Sequence, residues 1–148
     1  MIRPLLSFGA VLALSACSLP AADKESDGIA RTFYSEIRSG ADLSRDPHLD
    51  PSLTTPQAQA ALAGVKAWAP GAAPTQIQNT GWNYNTNAGQ GTQAQLSHTY
   101  VYAGASVHVQ TVLRKLPGQT NWTVVGFMAN ADAGAPVQVG VAPKSSDD

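Results

Sequence analysis

Apolar positions change their period partway along the chain. From Asp23 onward, Ile29, Phe33 and Ile37 recur every fourth residue, with Ala30 and Tyr34 beside them. That spacing lays one apolar stripe along a helix. Asp23, Glu25 and Asp27 crowd the first turn, where carboxylates meet the positive end of the helix dipole. Gly40 stands where a left-handed residue would close the helix. Arg31, Glu36 and Arg38 fall off the stripe and are expected to face water. A second helix follows: Thr55 as N-cap, Pro56 at the first position, then Gln57 to Trp68 with Leu62, Val65 and Trp68 on adjacent faces with Ala58 and Ala61. Pro70-Gly71 and Pro74 end it. Between the helices, Asp46-Pro47 and Asp50-Pro51 are turn formers, and Leu43, Leu49 and Leu53 are expected to dip inward, with room for a single helical turn.

After Pro74 the period becomes two. Four strands are expected, about Thr75–Thr86, Thr92–Ala103, Ser106–Leu116 and Trp122–Ala131, separated by Asn87-Ala88-Gly89-Gln90-Gly91, Gly104-Ala105 and Pro117-Gly118-Gln119. Such spacing makes an antiparallel meander. With Gly104 first in a two-residue hairpin turn, Tyr102 pairs with Val107, Tyr100 with Val109, His98 with Thr111 and Leu96 with Leu113. That face is the core face. Gln95, Ser97, Thr99, Val101, His108, Gln110, Val112 and Arg114 form the other, wetter face. In the fourth strand, either Val125 and Phe127, or Trp122, Val124 and Met128, face the helices. Val137, Val139 and Val141 alternate as a short edge strand would, inside residues 132–148, which otherwise read as a flexible tail.

The fold class is therefore α+β, two N-terminal helices packed on a curled four-stranded antiparallel meander. The domain is bounded at residues 23–131.

Ahead of it the chain has a different character. One arginine, Arg3, precedes an apolar run from Leu5 to Leu14, and Leu14-Ser15-Ala16 leads into Cys17, the single cysteine. The run is about half the ~20 residues a transmembrane helix needs and has the anatomy of a cleaved export signal. Leu14-Ser15-Ala16-Cys17 resembles the lipobox of bacterial lipoproteins. That resemblance implies cleavage after Ala16 (signal peptide 1–16), acylation of Cys17, and a lipidated tether over residues 17–22. Ser18, rather than Asp, after the cysteine resembles the pattern of Gram-negative lipoproteins sent to the outer membrane, facing the periplasm. Two or more acyl chains hold a soluble domain firmly on a membrane.

Removing sixteen of the 148 residues leaves 132, with Arg3 gone and eight basic against ten acidic side chains. A slight acidic excess argues against nucleic acid as a partner. With its one cysteine committed to lipid, the chain has no internal disulfide to draw on, so its stability is expected to come from its core.

The helix-then-sheet order also resembles the nuclear-transport-factor-two-like (cystatin-like) superfamily. The residues that carry this are Phe33-Tyr34, His48-Leu49-Asp50-Pro51-Ser52-Leu53 and Asn121-Trp122-Thr123-Val124-Val125-Gly126. The resemblance implies helices capping a concave sheet over a cone-shaped pocket, where enzymatic members hold an Asp, His or Tyr–Asp set. Here the strands carry no carboxylate before Asp132, which argues against an acid–base mechanism.

Candidate chemistry is correspondingly sparse. His98, in the middle of the core face, is the sharpest ligand-binding or base candidate. The competing reading is a core histidine hydrogen-bonded to a Tyr or Thr hydroxyl, since no carboxylate is placed to orient it. Trp82 and Tyr84 share a face and, with Tyr100 and Tyr102, form either an aromatic ligand wall or simply core. Asp42, Asp46, His48 and Asp50 read as turn chemistry rather than metal ligands, and His98 and His108 fall on opposite faces, so they cannot share an ion. No catalytic set, metal site or cofactor is assigned. No charged residue occurs from Ala67 to Leu113. Uncharged sheet edges pair readily with other chains, which points to an envelope protein partner or a homo-oligomer. The leading expectation is a membrane-anchored, non-catalytic binding domain, and the alternative is a small-pocket enzyme or apolar-ligand carrier built on His98.

Overall fold

A computed structural model of the chain describes residues 23–132 and 136–144. The leader, Cys17 and the tether lie outside the described residues. Helix α1 (Lys24–Ser39) begins at Asp23, whose carboxylate accepts the Ser26 amide at 3.2 Å. It ends at Gly40, with φ 73°, where the Gly40 and Ala41 amides donate back to the Ile37 and Glu36 carbonyls, each at 3.0 Å. That is the Schellman pattern, and it satisfies two of the helix's last free carbonyls. The stripe is buried as its spacing predicts, at Ala30, Phe33, Tyr34 and Ile37. In the connecting loop, Asp42, Asp46 and Asp50 each accept the amide two residues on, from Ser44, His48 and Ser52 at 3.0, 2.8 and 3.0 Å. These are Asx turns, the local chemistry expected of Asp in such a loop. Leu43, Leu49 and Leu53 are buried, Leu53 at the end of a 3-10 turn spanning Pro51–Leu53. Helix α2 (Pro56–Trp68) is capped by Thr55, whose hydroxyl accepts the Ala58 amide at 3.3 Å.

The sheet has five strands rather than four. Strands β1 (Gln76–Asn87), β2 (Gly91–Tyr102), β3 (Ala105–Lys115), β4 (Thr123–Ala131) and β5 (Val137–Gly140) lie in chain order, all antiparallel, in an open sheet. The additional strand comes from the stretch read as tail. Val137 and Val139 pair with Ala129 and Phe127 and turn their side chains to the helices. Helix α2 packs chiefly on β5, and α1 on β2, β3 and α2. Without β5, the apolar face of α2 would have little sheet beneath it, and that burial is what draws so short a strand into the ladder.

The β2–β3 hairpin also differs in register. Tyr102 pairs with Ala105, Tyr100 with Val107, His98 with Val109, Leu96 with Thr111 and Ala94 with Leu113. Ala103 and Gly104 form the turn, and of the two only Gly104, at φ 84°, is left-handed. A positive φ at the second central position is the type II arrangement, not the II′ turn with glycine first. The slip is two residues in the pairing, so every side chain keeps its face and the core assignment survives. In β4 the two alternatives for the inward face are both partly realised. Val112 pairs with Gly126 but Leu113 pairs with Val124, leaving Val125 as a bulge. Trp122 and Val124 therefore face the helices before the bulge, and Phe127 and Ala129 after it.

Beyond β5 the chain turns across the outer face of the sheet. The Val141 amide donates to the Val125 carbonyl at 2.9 Å. The Gln95 side-chain amide then grips the Lys144 backbone at both ends, donating to its carbonyl at 3.1 Å and accepting its N–H at 2.9 Å. The strap passes so close to Gly126 that a Cβ there would collide with the Val141 carbonyl oxygen. Gly126→Ala is expected to lift residues 141–144 and fray β5 while α1 and β1–β3 keep their protection. Hydrogen exchange resolved by segment checks this, and unchanged protection of β5 amides would count against it.

Candidate functional site

Helix α1 runs along the inner face of β2, so successive turns of the helix meet successive inward residues of the strand. One turn in, Asp27 reaches His98: Oδ1 is 2.7 Å from Nε2. The other carboxylate oxygen, Oδ2, is 2.7 Å from Nε of Arg31, one turn further on, and Asn79 of β1 approaches Oδ1 at 3.4 Å. A carboxylate only accepts, so Nε2 carries the ring proton and the neutral imidazole presents a bare Nδ1. Among the described residues that atom is buried and without a partner, as are the hydroxyls of Tyr100 and Thr111 nearby on the same face. His98 itself is 1% exposed.

This corrects the expectation that no carboxylate is placed to orient His98. The carboxylate exists, but it is supplied by the helix and not by a strand. The sequence held a signal for it. Asp27, Ala30, Tyr34 and Ile37 are spaced by three, four and three, which places Asp27 on the buried face of α1 as well as in its first turn.

The electrostatics follow the geometry. Burial pushes the His98 imidazole below its ordinary value of 6.5, and the Asp27 carboxylate opposes this without overcoming it, while Arg31 adds to the lowering. Protonation would put an N–H at Nδ1, which has no acceptor among the described residues. Tyr34 and Tyr100 are raised chiefly by burial, so both phenols stay neutral.

The aromatic residues do not form one wall. Towards the C-terminal end of α1, the Tyr34 hydroxyl meets that of Tyr102 at 3.1 Å and the Tyr34 ring lies 4.2 Å from that of Tyr100. At its N-terminal end, Trp82 stands 5.5 Å from Tyr84, and Tyr84 stands 6.2 Å from Trp122. The Asp27–His98 pair separates the two groups. Trp82 shares the face of Tyr84 as expected, but near a sheet edge and partly exposed. On the outer face, Thr99 and His108 share a hydrogen bond of 2.9 Å.

Two concavities of the described surface are lined by residues other than His98. One of about 680 Å³ sits on the outer face among Thr80, Gly81, Gln95, Ser97, Gln110 and Met128, against the strap residues Pro143 and Lys144. A second, of about 360 Å³, runs beside α1 past Ile29, Phe33, Glu36, Asp46 and His48. There, partial burial and then Asp46 raise the Glu36 carboxyl. Among the described residues, no three His, Cys, Asp or Glu side chains converge closely enough to hold a metal ion, and no helix is long and apolar enough to cross a membrane.

Chemically, the His98 constellation resembles a general-base dyad with its second ring nitrogen closed off. Nε2 is engaged by Asp27, and Nδ1 is buried without a hydrogen-bond partner among the described residues. What the arrangement does is pin α1 to β2 through a short polar contact, as the Tyr34–Tyr102 hydroxyl pair does further along the helix. No protein-family model matches this chain, no curated protein matches it, and no solved structure matches it.

Proposed function

We propose that the chain is a lipid-anchored, non-catalytic binding domain of the bacterial cell envelope, tethered through Cys17 to the periplasmic side of the outer membrane. The observation that carries the non-catalytic part is the closure of His98: a base that substrate cannot reach cannot transfer its proton. Against the alternative, a pocket enzyme or apolar-ligand carrier around His98, stand the burial of His98 and the lining of the 680 and 360 Å³ concavities by other residues. Two helices layered on one face of an antiparallel sheet support the resemblance to the nuclear-transport-factor-two-like superfamily. Partner binding falls on the other face and on β1. That edge strand is twelve residues long, carries no charge, and is exposed except at half-buried Gly81 and Tyr84. Such an edge offers free backbone groups to a partner strand or to a second copy.

The anchor rests on Leu14-Ser15-Ala16-Cys17. Cys17→Ser is expected to shift the protein from the membrane fraction to the soluble periplasmic fraction, or to leave it unprocessed. Fractionation together with the mass of the N-terminal peptide reads this. A Cys17→Ser protein that still fractionates with membranes at normal abundance and processed size would remove the anchor from the account.

A further inference from the structure

The way the chain enters the domain constrains how the domain meets a bilayer. Six residue steps separate Cys17 from Asp23, a span of at most about 20–22 Å when fully extended. A domain of this size has a radius of gyration of roughly 13 Å and is on the order of 30 Å across. The tether is thus shorter than the domain it holds, and the end of the domain that carries Asp23 stays near the anchor.

That end is where Trp82 and Tyr84 of β1 and Trp122, just ahead of β4, sit. The Asp23 amide donates to the Tyr84 hydroxyl at 2.8 Å, and the Asp23 carboxylate accepts the Trp122 indole N–H at 3.1 Å. The Lys115 ammonium lies 4.5 Å from the Trp122 ring centre. Leu116 follows it, packed by its backbone against Gly91 at the start of β2. Trp82 and Leu116 are 39% and 45% exposed, two of the four large apolar side chains left open to water among the described residues. The adjoining turn, residues 86–92, is Thr, Asn, Ala, Gly and Gln without a charge. Indole and phenol rings with a long-stemmed lysine are the residue types that settle at the headgroup level, ring body in the apolar layer and polar tip in water. The opposite end of the molecule differs. There Arg38 of α1 donates to the Gly71 and Ala72 carbonyls just beyond α2, and Trp68 packs on the core.

We propose that the Trp82–Lys115–Leu116 end of the domain, gathered around Asp23, seats in the headgroup layer of the bilayer that holds Cys17, leaving the Trp68 end and the Gln76–Gly81 half of the β1 edge pointing away and open to a partner. This rests on the anchor reading above, and the test separates the two. Protein extracted from membranes is reconstituted into phosphatidylethanolamine–phosphatidylglycerol vesicles with plain or brominated acyl chains, after the mass of its N-terminal peptide is measured. If Cys17 carries no lipid, the anchor reading fails. The same thiol, the only one in the chain, is then coupled to a maleimide lipid, so the orientation is still measured. Wild type and Trp68→Phe are expected to lose tryptophan emission in brominated relative to plain vesicles, and Trp82→Phe to lose much less. Trp82→Phe quenched as fully as wild type, or no quenching in any of the three, overturns the proposal; the second result would leave this end facing water or a protein.

Discussion

Truncating Phe127 to alanine is expected to destabilise the domain by about 3–5 kcal/mol, the usual cost of deleting a fully buried aromatic side chain. Phe127 is 0% exposed and meets Phe33 edge to face, ring centres 5.4 Å apart at 90°. It also pairs with Thr111 on one side and Val139 on the other. Its loss therefore opens space between α1 and the sheet and beside β5 at once, and neither neighbour can refill it without leaving its own contacts. Set against a total of about 5–15 kcal/mol for a typical domain, this is a large fraction, equivalent to a fall in Tm of about 10–20 °C. Urea unfolding followed by tryptophan fluorescence measures it. A loss below about 1 kcal/mol would mean that the layer is not packed as described.

Breaking the polar pin should have a distinct signature. Asp27→Ala leaves the Nε2 proton of His98 buried without an acceptor, for which about 1–3 kcal/mol is expected. Arg31 is partly exposed and can rehydrate, so it adds little. Replacing both partners, as in Asp27→Ala with His98→Leu, should cost less than the sum of the single changes, because no buried donor is then left unpaired.

The same geometry sets a pH dependence. The imidazole is lowered in the folded state, so below 6.5 the unfolded chain takes up a proton that the folded chain resists. Stability then rises with pH across that window. The contribution is fully present above pH 6.5 and is lost progressively as pH falls from there to the lowered folded value. Unfolding free energies at pH 7.5 and 5.5 should differ more for wild type than for His98→Leu. Equal differences would show that His98 is not held neutral.

The helices were legible because each is closed by local chemistry. Asp23 and Gly40 bound α1, Thr55 and Pro56 start α2, and the buried stripes follow the 3.6-residue period. Strand positions were legible for the same reason, since alternation and glycine turns act over a few residues. The exact hairpin pairing was not, because Gly104 suits either place in a two-residue turn and only the matching of the two strands selects one. Strand β5 was visible only as the alternation of Val137, Val139 and Val141, which a tail can also show, and it closes before Val141. Its inclusion depends on α2 and Phe127 lying where they can cover it.

The candidate site divides the same way. His98 was singled out from its place on an apolar face, yet its partner Asp27 lies 71 positions away in the chain. Carboxylates in a first helical turn have an ordinary use, which concealed this one.

Adjacent residues decide among themselves the helix ends, the Asx turns and the inward and outward faces of β2 and β3, and these are readable from the chain alone. What depends on surfaces meeting is set by the three-dimensional fold. That includes the fifth strand, the bulge at Val125, the strap over Gly126, and the contact that closes His98 against Asp27. Local periodicity specifies which side of an element is apolar, whereas the partner that covers it is selected by burial summed over distant parts of the chain.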